Sequence, residues 1–305
     1  MASPAPALIF NTEFNPQTGE AVPVVPGLVR VTAPNASVYT FTGTNSFIVG
    51  HDSVAVIDPG PDNGEHQAAL ERAVSGRRIE AIILSHTHRD HSASARRLAD
   101  AWTVPLWFEG RHRLSRPLRR FERNPIQNSC DWDLVPDRTL GDGEVLTVGG
   151  VGISVHKTPG HCANHLALGL VGTPTLLSGD HVMGWNSTLV SVPDGSMADY
   201  LASLDKVIAL EFSHYVPAHG GPIADGVNYA RALKAHRDAR NEQVLAAVQA
   251  GANTLGKVVS AVYPKIGVAL RMAARMTVTA HVEYLEELGK ITVRRGPFGA
   301  RLKAE

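Results

Sequence analysis

One six-residue run, His86-Thr87-His88-Arg89-Asp90-His91, constrains this chain more than any other feature. It directly follows the strand-like segment Glu80-Ala81-Ile82-Ile83-Leu84-Ser85. Imidazole and carboxylate are the side chains that bind zinc-class ions. Three imidazoles and a carboxylate this close together point to that chemistry rather than to a solvated polar turn. His86 and His88 stand two apart at a strand end, so they project to the same side. Asp90 and His91 fall where the chain turns into a helix and can point at a second ion beside the first.

Further ligand-type residues follow singly, each at the end of an apolar run. His161 lies in Thr158-Pro159-Gly160-His161, after Val151-Gly152-Ile153-Ser154-Val155. Asp180 closes Leu176-Leu177-Ser178-Gly179-Asp180, and His219 lies in Tyr215-Val216-Pro217-Ala218-His219-Gly220. Glycine beside each lets the backbone turn sharply, which suits a site built along one edge of a sheet.

The HxHxDH run followed by His161, Asp180 and His219 resembles the metallo-β-lactamase superfamily over roughly residues 20 to 225. The resemblance implies that His86, His88 and His161 hold one metal, that Asp90, His91 and His219 hold a second, and that Asp180 bridges them. Asp58, in Val56-Ile57-Asp58-Pro59-Gly60, matches the family's early aspartate, which orients the histidine-rich loop. The family's chemistry is hydrolysis by a hydroxide bridging two ions, with Asp90 also orienting the nucleophile's proton. Zinc is the expected metal; manganese or iron suit the same ligands. The leaving-group acid is not identified, with His165 and His181 as weak candidates.

Composition agrees with such an enzyme. The chain has 305 residues, 44% of them hydrophobic, enough for a full core. The N-terminus has no basic segment before a long apolar stretch, and no run approaches a membrane span, so a cytoplasmic protein without membrane contact is expected. The two cysteines, Cys130 and Cys162, imply no disulfide framework, and Cys162 reads as a small buried residue rather than a ligand.

The fold class expected is α/β, an αββα sandwich of the metallo-β-lactamase type over residues 1–228, with a small winged-helix domain over 229–305. In the first part, strands over Val38–Gly50 and Ser53–Asp58 precede the metal loop, and Ala95, Leu98, Ala99 and Trp102 mark a helix. Tyr200–Leu204 belongs to a helix over the second sheet. In the tail, helices are expected over Arg231–Ala250, from Leu255 after an Asn253-Thr254 cap, and over Val268–Leu288, followed by a hairpin around Arg294–Gly299. A winged helix behind this catalytic fold resembles the subfamily of the mitochondrial β-lactamase-like endoribonuclease and its bacterial relatives.

Charge bears on what the tail contacts. Residues 230–305 hold 13 Lys+Arg and 6 Asp+Glu, a net of +7, against 16 and 23, a net of −7, in the rest. A basic winged helix on an acidic body suits RNA or DNA, while a packing or dimer-forming module is the plainer alternative. Arg111, Arg113, Arg116, Arg119, Arg120 and Arg123 crowd a segment near Phe121 and Trp132. Arg116, Arg119 and Arg120 are therefore candidates to track a phosphate backbone. Alternatively, the arginines line a solvated helix face paired with Glu109 and Glu122. Single-stranded RNA is thus the expected substrate and partner. The alternatives are a thioester hydrolase of the glyoxalase II type, a weak β-lactamase (those enzymes generally lack the bridging aspartate) and, from another class, a nucleic-acid-binding regulator.

Overall fold

The computed structural model describes residues 8–267, 270–296 and 299–305. Two sheets face each other. The first holds β1 (Val22–Val25), β2 (Leu28–Thr32), β3 (Asn45–Gly50), β4 (Ser53–Ile57), β5 (Arg78–Ile83), β6 (Leu106–Phe108) and β7 (Arg138–Thr139), in that order. Its first four strands pair antiparallel, and β4 through β7 pair parallel. The second holds β8 (Val145–Val148), β9 (Val151–Lys157), β10 (Leu166–Leu170), β11 (Thr175–Gly179) and β12 (His214–Pro217), in the reverse order. Only β11 and β12 pair parallel in that sheet, so β9, β11 and β12 all run the same way.

Residue pattern explains the layers. Edge strand β8 alternates, with Leu146 and Val148 buried and Val145 and Thr147 exposed, whereas β10 and β11 are buried along their whole length. Phe47, Val49, Ile57 and Ile83 from the first sheet meet Ile153, Val155, Leu166 and Leu168 from the second. Each such side chain contributes about 1.5–3 kcal/mol on burial, and together they fix the two sheets face to face. The outer face of the first sheet is covered by α1 (Gly64–Val74) and α3 (Ala95–Trp102), which follows the one-turn α2 (Arg89–Ser92). The outer face of the second is covered by α4 (Met197–Ala209) and the start of α5 (Gly226–Gln249). The arrangement is the expected αββα sandwich.

Helix α5 is shared. Its Ala230 and Leu233 pack with α4, while Val244 and Val248 enter a separate core with α6 (Leu255–Val262), α7 (Arg271–Glu287), β13 (Ile291–Gly296) and β14 (Gly299–Ala304). Thr254 caps α6 as its sequence indicates, its hydroxyl accepting from the Lys257 N–H. The expected start of the third tail helix at Val268 and the hairpin tip Pro297-Phe298 lie outside the described residues. Three helices and a two-stranded wing form the C-terminal module. Two expectations need correction. The chain is a loop over residues 33–44, with strand β3 starting at Asn45 rather than Val38. Residues 111–123 are turns and irregular backbone, not a helix. Among the described residues, no helix is long and apolar enough to cross a membrane.

Candidate metal centre

The sheet directions carry the ligand residues to one edge. Asp58 follows β4, Ser85 to His91 follow β5, His161 follows β9, Asp180 follows β11 and His219 follows β12. Asn45 ties the two sheets at this edge, its side-chain amide donating to Pro217 O at 3.0 Å and Gly220 O at 2.9 Å. All seven ligand candidates converge there. His86, His91 and His219 are buried, and only the Asp90 side chain, 29% exposed, faces outward.

The first cluster is His86, His88 and His161, whose ligand atoms lie within 4.8 Å of one another. His86 Nε2 stands 3.1 Å from His88 Nδ1, and His161 Nε2 stands 2.8 Å from the same atom. The opposite nitrogen of each ring is engaged elsewhere. The Ser85 hydroxyl donates to Asp58 Oδ2 at 2.6 Å, so its oxygen accepts from His86 Nδ1–H at 3.0 Å. His88 Nε2–H donates to Asp194 Oδ2 at 2.9 Å, and His161 Nδ1–H to Leu189 O at 2.7 Å. These partners leave three imidazole lone pairs aimed at one point. Tetrahedral coordination at Zn–N distances near 2.0–2.1 Å gives N···N edges of about 3.3 Å, close to the separations seen.

Asp90, His91 and His219 form the second cluster. His91 Nε2 and His219 Nε2 each lie 3.2 Å from Asp90 Oδ2. Asp180 stands between the clusters. Its Oδ1 lies 3.3 Å from His219 Nε2 and 3.6 Å from His91 Nε2, while its Oδ2 lies 3.5 Å from His161 Nε2. Both Asp180 Oδ1 and His91 Nε2 are buried without a hydrogen-bond partner. Buried polar atoms left unpaired are costly. Two such atoms beside converging lone pairs fit a pair of divalent cations, and the donor set is chemically suited to them.

Each ligand ring is oriented from behind. His91 Nδ1–H donates to Asp58 Oδ2 at 3.1 Å, and His219 Nδ1–H to Gly43 O at 3.2 Å. Asp58 also accepts from the Ser85 N–H at 2.7 Å, so one buried carboxylate steers both clusters. It does so from a left-handed backbone (φ 48°), a conformation that costs a non-glycine residue free energy. Asp58→Ala is expected to weaken metal affinity by about 10–100-fold while leaving the fold intact. Chelator competition measures this, and unchanged affinity for both ions would contradict the role.

Asp194 was not legible in the sequence, yet it is fully buried and central. Besides His88 it accepts from His112 Nε2–H at 2.7 Å, and Cys130 and Asn124 also lie against it. Burial raises its pKa, but His112 and His88 outweigh this and hold it well below the usual carboxylate range. Its segment Pro193-Asp194-Gly195 reads as a plain turn, and nothing in linear spacing links it to His88. His165 proves structural. Its Nε2 accepts the Asp180 N–H at 3.0 Å and its Nδ1–H faces Thr158 Oγ1 at 2.8 Å, so it sets the backbone of the bridging residue. Gly179 is glycine because a Cβ there would sit 2.5 Å from that same His165 Nε2, at φ 54°. His181 is fully buried, and burial drives its pKa down to about 3. Cys162 is buried, as expected, and outside both clusters.

Burial opposes charge on His219, but the Asp180 and Asp90 carboxylates outweigh it and raise its pKa to about 9. His161 goes the other way, with burial and neighbouring His88 lowering it to about 4. The signs give a pH profile for chelator-treated protein. Stabilisation from His219 is complete below its ordinary 6.5 and is lost as pH rises through about 9. That from a neutral His161 is present above 6.5 and is lost as pH falls toward about 4. The urea midpoint is therefore expected to peak near pH 6.5 and fall on both sides, whereas added metal preserves it toward pH 9 by replacing the proton. A flat profile from 6.5 to 9 in the chelator-treated protein would contradict the His219–Asp180 pairing.

The arginine candidates behave differently from their sequence reading. Arg116 donates to Glu122 Oε2 at 2.6 Å and to Glu283 Oε1 at 2.6 Å, and Arg119 also pairs with Glu283. Arg113 pairs with Glu109 at 2.6 Å. Thus the pairing with Glu109 and Glu122 occurs, without the helix, and Arg116 and Arg119 bind α7 rather than facing a groove. Arg120 lies over the exposed Phe121 ring at 4.8 Å. Trp132 packs edge-on to His112, at 4.4 Å between ring centroids.

Two facing sheets with two histidine–carboxylate clusters at one edge, joined by a bridging aspartate, define a hydrolase fold with a divalent metal site. Residues 39–219 match the metallo-beta-lactamase superfamily, and the chain belongs to that superfamily. Residues 254–296 match the beta-lactamase associated winged helix domain. The chain is 27% identical to the beta-lactamase-like protein 2 homolog of Drosophila melanogaster, over 88% of this chain and 90% of that protein. It is 27% identical to the lactamase-like protein vrtG of Penicillium aethiopicum, over 80% and 73%. It is also 27% identical to an atrochrysone carboxyl ACP thioesterase of Paecilomyces divaricatus, over 78% and 69%. Among solved structures, a metallo-beta-lactamase family protein from Thermus thermophilus superposes with TM-score 0.75 at 26% identity, covering 92% of this chain and 99% of that one. A beta-lactamase domain protein from Burkholderia ambifaria, at 23% identity, shares the fold with TM-score 0.79 over 95% of each chain.

Proposed function

We propose that the chain is a two-metal hydrolase of acyl thioesters, the alternative that the sequence offers beside single-stranded RNA. The observation that carries this reading is the surface beside the one outward-facing ligand. Asp90 accepts from Thr44 Oγ1 at 3.5 Å, at the end of the 33–44 loop. On that loop Val38 is 54% and Tyr39 48% exposed, and Phe41 stacks on Trp185 at 4.9 Å beside Gly220, the neighbour of His219. An apolar rim suits an acyl group better than a phosphodiester, whose oxygens need cationic partners. The related thioesterase supports the same direction.

Bound divalent ions would supply Lewis-acid polarisation of the substrate carbonyl and activation of a water near neutral pH. The chain's own residues do the positioning. Asp180 holds one oxygen toward each cluster. The outward Asp90 carboxylate is placed to orient the attacking water's proton, so no separate base is required. Asp58, Asp194, Leu189 O and Gly43 O lock the imidazole tautomers. His165 is withdrawn from the leaving-group role by its bonds to the Asp180 N–H and Thr158, and His181 by its burial.

RNA remains a second reading for one specific reason. Arg275, Arg294 and Arg301 line a groove on the C-terminal module, and Arg294 faces Arg301 directly across the hairpin. Like charges so paired are destabilising unless an anion meets them. Turnover of a thioester, single-stranded RNA and a chromogenic cephalosporin, each with and without chelator, decides between these. Metal-dependent thioester hydrolysis with the highest kcat/KM is expected. RNA cleavage with higher kcat/KM than any thioester would overturn the proposal.

A further inference from the structure

We propose that the C-terminal module is a positioning element of the first metal cluster, acting through Arg237 on α5 and Glu283 on α7. Neither residue belongs to the cluster. Both grip the segments that orient it.

The loop over 188–194 supplies the outer partners of two ligands, Leu189 O for His161 and Asp194 for His88. From its other side this loop is held by the C-terminal module. The Arg237 guanidinium, 2% exposed, donates to Thr188 O and lies over the Tyr200 ring at 5.0 Å. Ser191 Oγ contacts Met276 Sδ on α7 at 3.3 Å. The loop has a second anchor in the arginine segment. The Ser115 N–H donates to Pro193 O at 2.9 Å, and its hydroxyl to Asp194 O at 2.8 Å. The next residue, Arg116, is fixed by Glu283, whose side chain is 8% exposed and also takes Arg119. A continuous path therefore runs from Glu283 through Arg116, Ser115 and Asp194 to His88.

The physical case rests on burial. Arg237 is buried with its Nε unpartnered and no carboxylate among its bonds in the described residues, and such a group is costly to keep. Removing the Glu283 charge leaves Arg116 to Glu122 of its own segment, so the segment loses its charged tie to α7. The outer partners of the second cluster's histidines, Asp58 and Gly43, come from the end of β4 and the 33–44 loop, off the path from Glu283 to His88. Arg237 reaches further, because the Thr188 that it holds also donates from Oγ1 to Asp180 O at 2.7 Å. Loosening the Glu283 anchor should thus reach one ion and spare the other. This rests on the two-cluster assignment and is independent of which substrate the enzyme takes.

Zinc alone is the probe, with full-length protein. His219→Ala leaves the first cluster to report, and His86→Ala leaves the second. Adding Glu283→Gln to the His219→Ala protein is expected to weaken zinc about ten-fold, the low end of losses seen when a ligand's orienting partner goes. In the His86→Ala protein the same substitution is expected to leave zinc affinity unchanged. Arg237→Lys, which keeps the charge but loses the planar fork, should likewise weaken zinc in the His219→Ala protein and guards against a misfolded Glu283 variant. Selective weakening of the first cluster by Glu283→Gln supports the proposal. Equal weakening by Glu283→Gln in both backgrounds, none in either, or no weakening of the first cluster by Arg237→Lys would overturn it.

Discussion

Asp180→Ala is expected to lower kcat/KM by on the order of 10²–10³-fold, because it removes electrostatic organisation at the centre of the site. Among the described residues no other carboxylate has one oxygen facing each cluster, at 3.3 Å from His219 Nε2 and 3.5 Å from His161 Nε2. Its loss leaves His219 and His91 facing Asp90 alone, so the second ion is expected to bind more weakly as well. Asp180→Asn keeps the shape but not the charge and should behave much like alanine. The measurement is kcat/KM at saturating metal for the best substrate found. Activity within about three-fold of the parent, under about 1 kcal/mol, would contradict a bridging role.

Gly160→Ala is expected to be strongly destabilising. Gly160 has φ 134°, and a Cβ there would fall 2.3 Å from Tyr200 Cα and 2.4 Å from Tyr200 N. These are backbone atoms of α4 and cannot swing aside. Tyr200 is fully buried, and Ser196, which caps the same helix, donates its N–H to Gly160 O at 2.9 Å. The helix must shift or the turn carrying His161 must open. Overpacking and backbone strain together cost about 3 kcal/mol or more, which lowers Tm by roughly 5–10 °C for a protein of this size. Thermal melts of chelator-treated and metal-loaded protein measure it. A Tm equal to the parent's in both would show that the turn is not packed against α4 as described.

The seven candidate ligands that the structure brings together were legible because each is a side chain with its own chemistry, placed where a β-run meets a glycine-containing turn. Asp58 was legible for the same reason, in Val56-Ile57-Asp58-Pro59-Gly60. The residues that orient them were mostly not. Leu189 and Gly43 act through backbone carbonyls, which any residue supplies, so sequence holds no trace of them. Asp194 reaches His88 across 106 residues, and its partners are assembled only by the fold. The arginine segment was legible in part. Glu109 and Glu122 lie close enough in sequence to be expected as partners, but the second carboxylate that takes Arg116 stands 167 residues away on α7. Periodicity found α3 at Ala95–Trp102, and placed α5 well except at its start. That helix begins at Gly226, where Asp225 caps it, rather than at Arg231. The 33–44 loop resembles the start of a strand in sequence because Val38, Tyr39 and Phe41 are strand-forming types. Its Ser37–Phe41 bridge and the positive φ of Phe41 interrupt any strand there, and Thr44 bridges to His219 of the second cluster.

The central claim is that His86, His88, His161, Asp90, His91, His219 and Asp180 form one site for two ions. Metal stoichiometry tests it most directly, by elemental analysis of protein stripped with chelator, reloaded and freed of excess by gel filtration. Two divalent ions per chain are expected for the parent, with one retained after His219→Ala and one after His86→Ala. A parent protein that reloads with one ion or none, whether offered zinc, manganese or iron, would contradict the account.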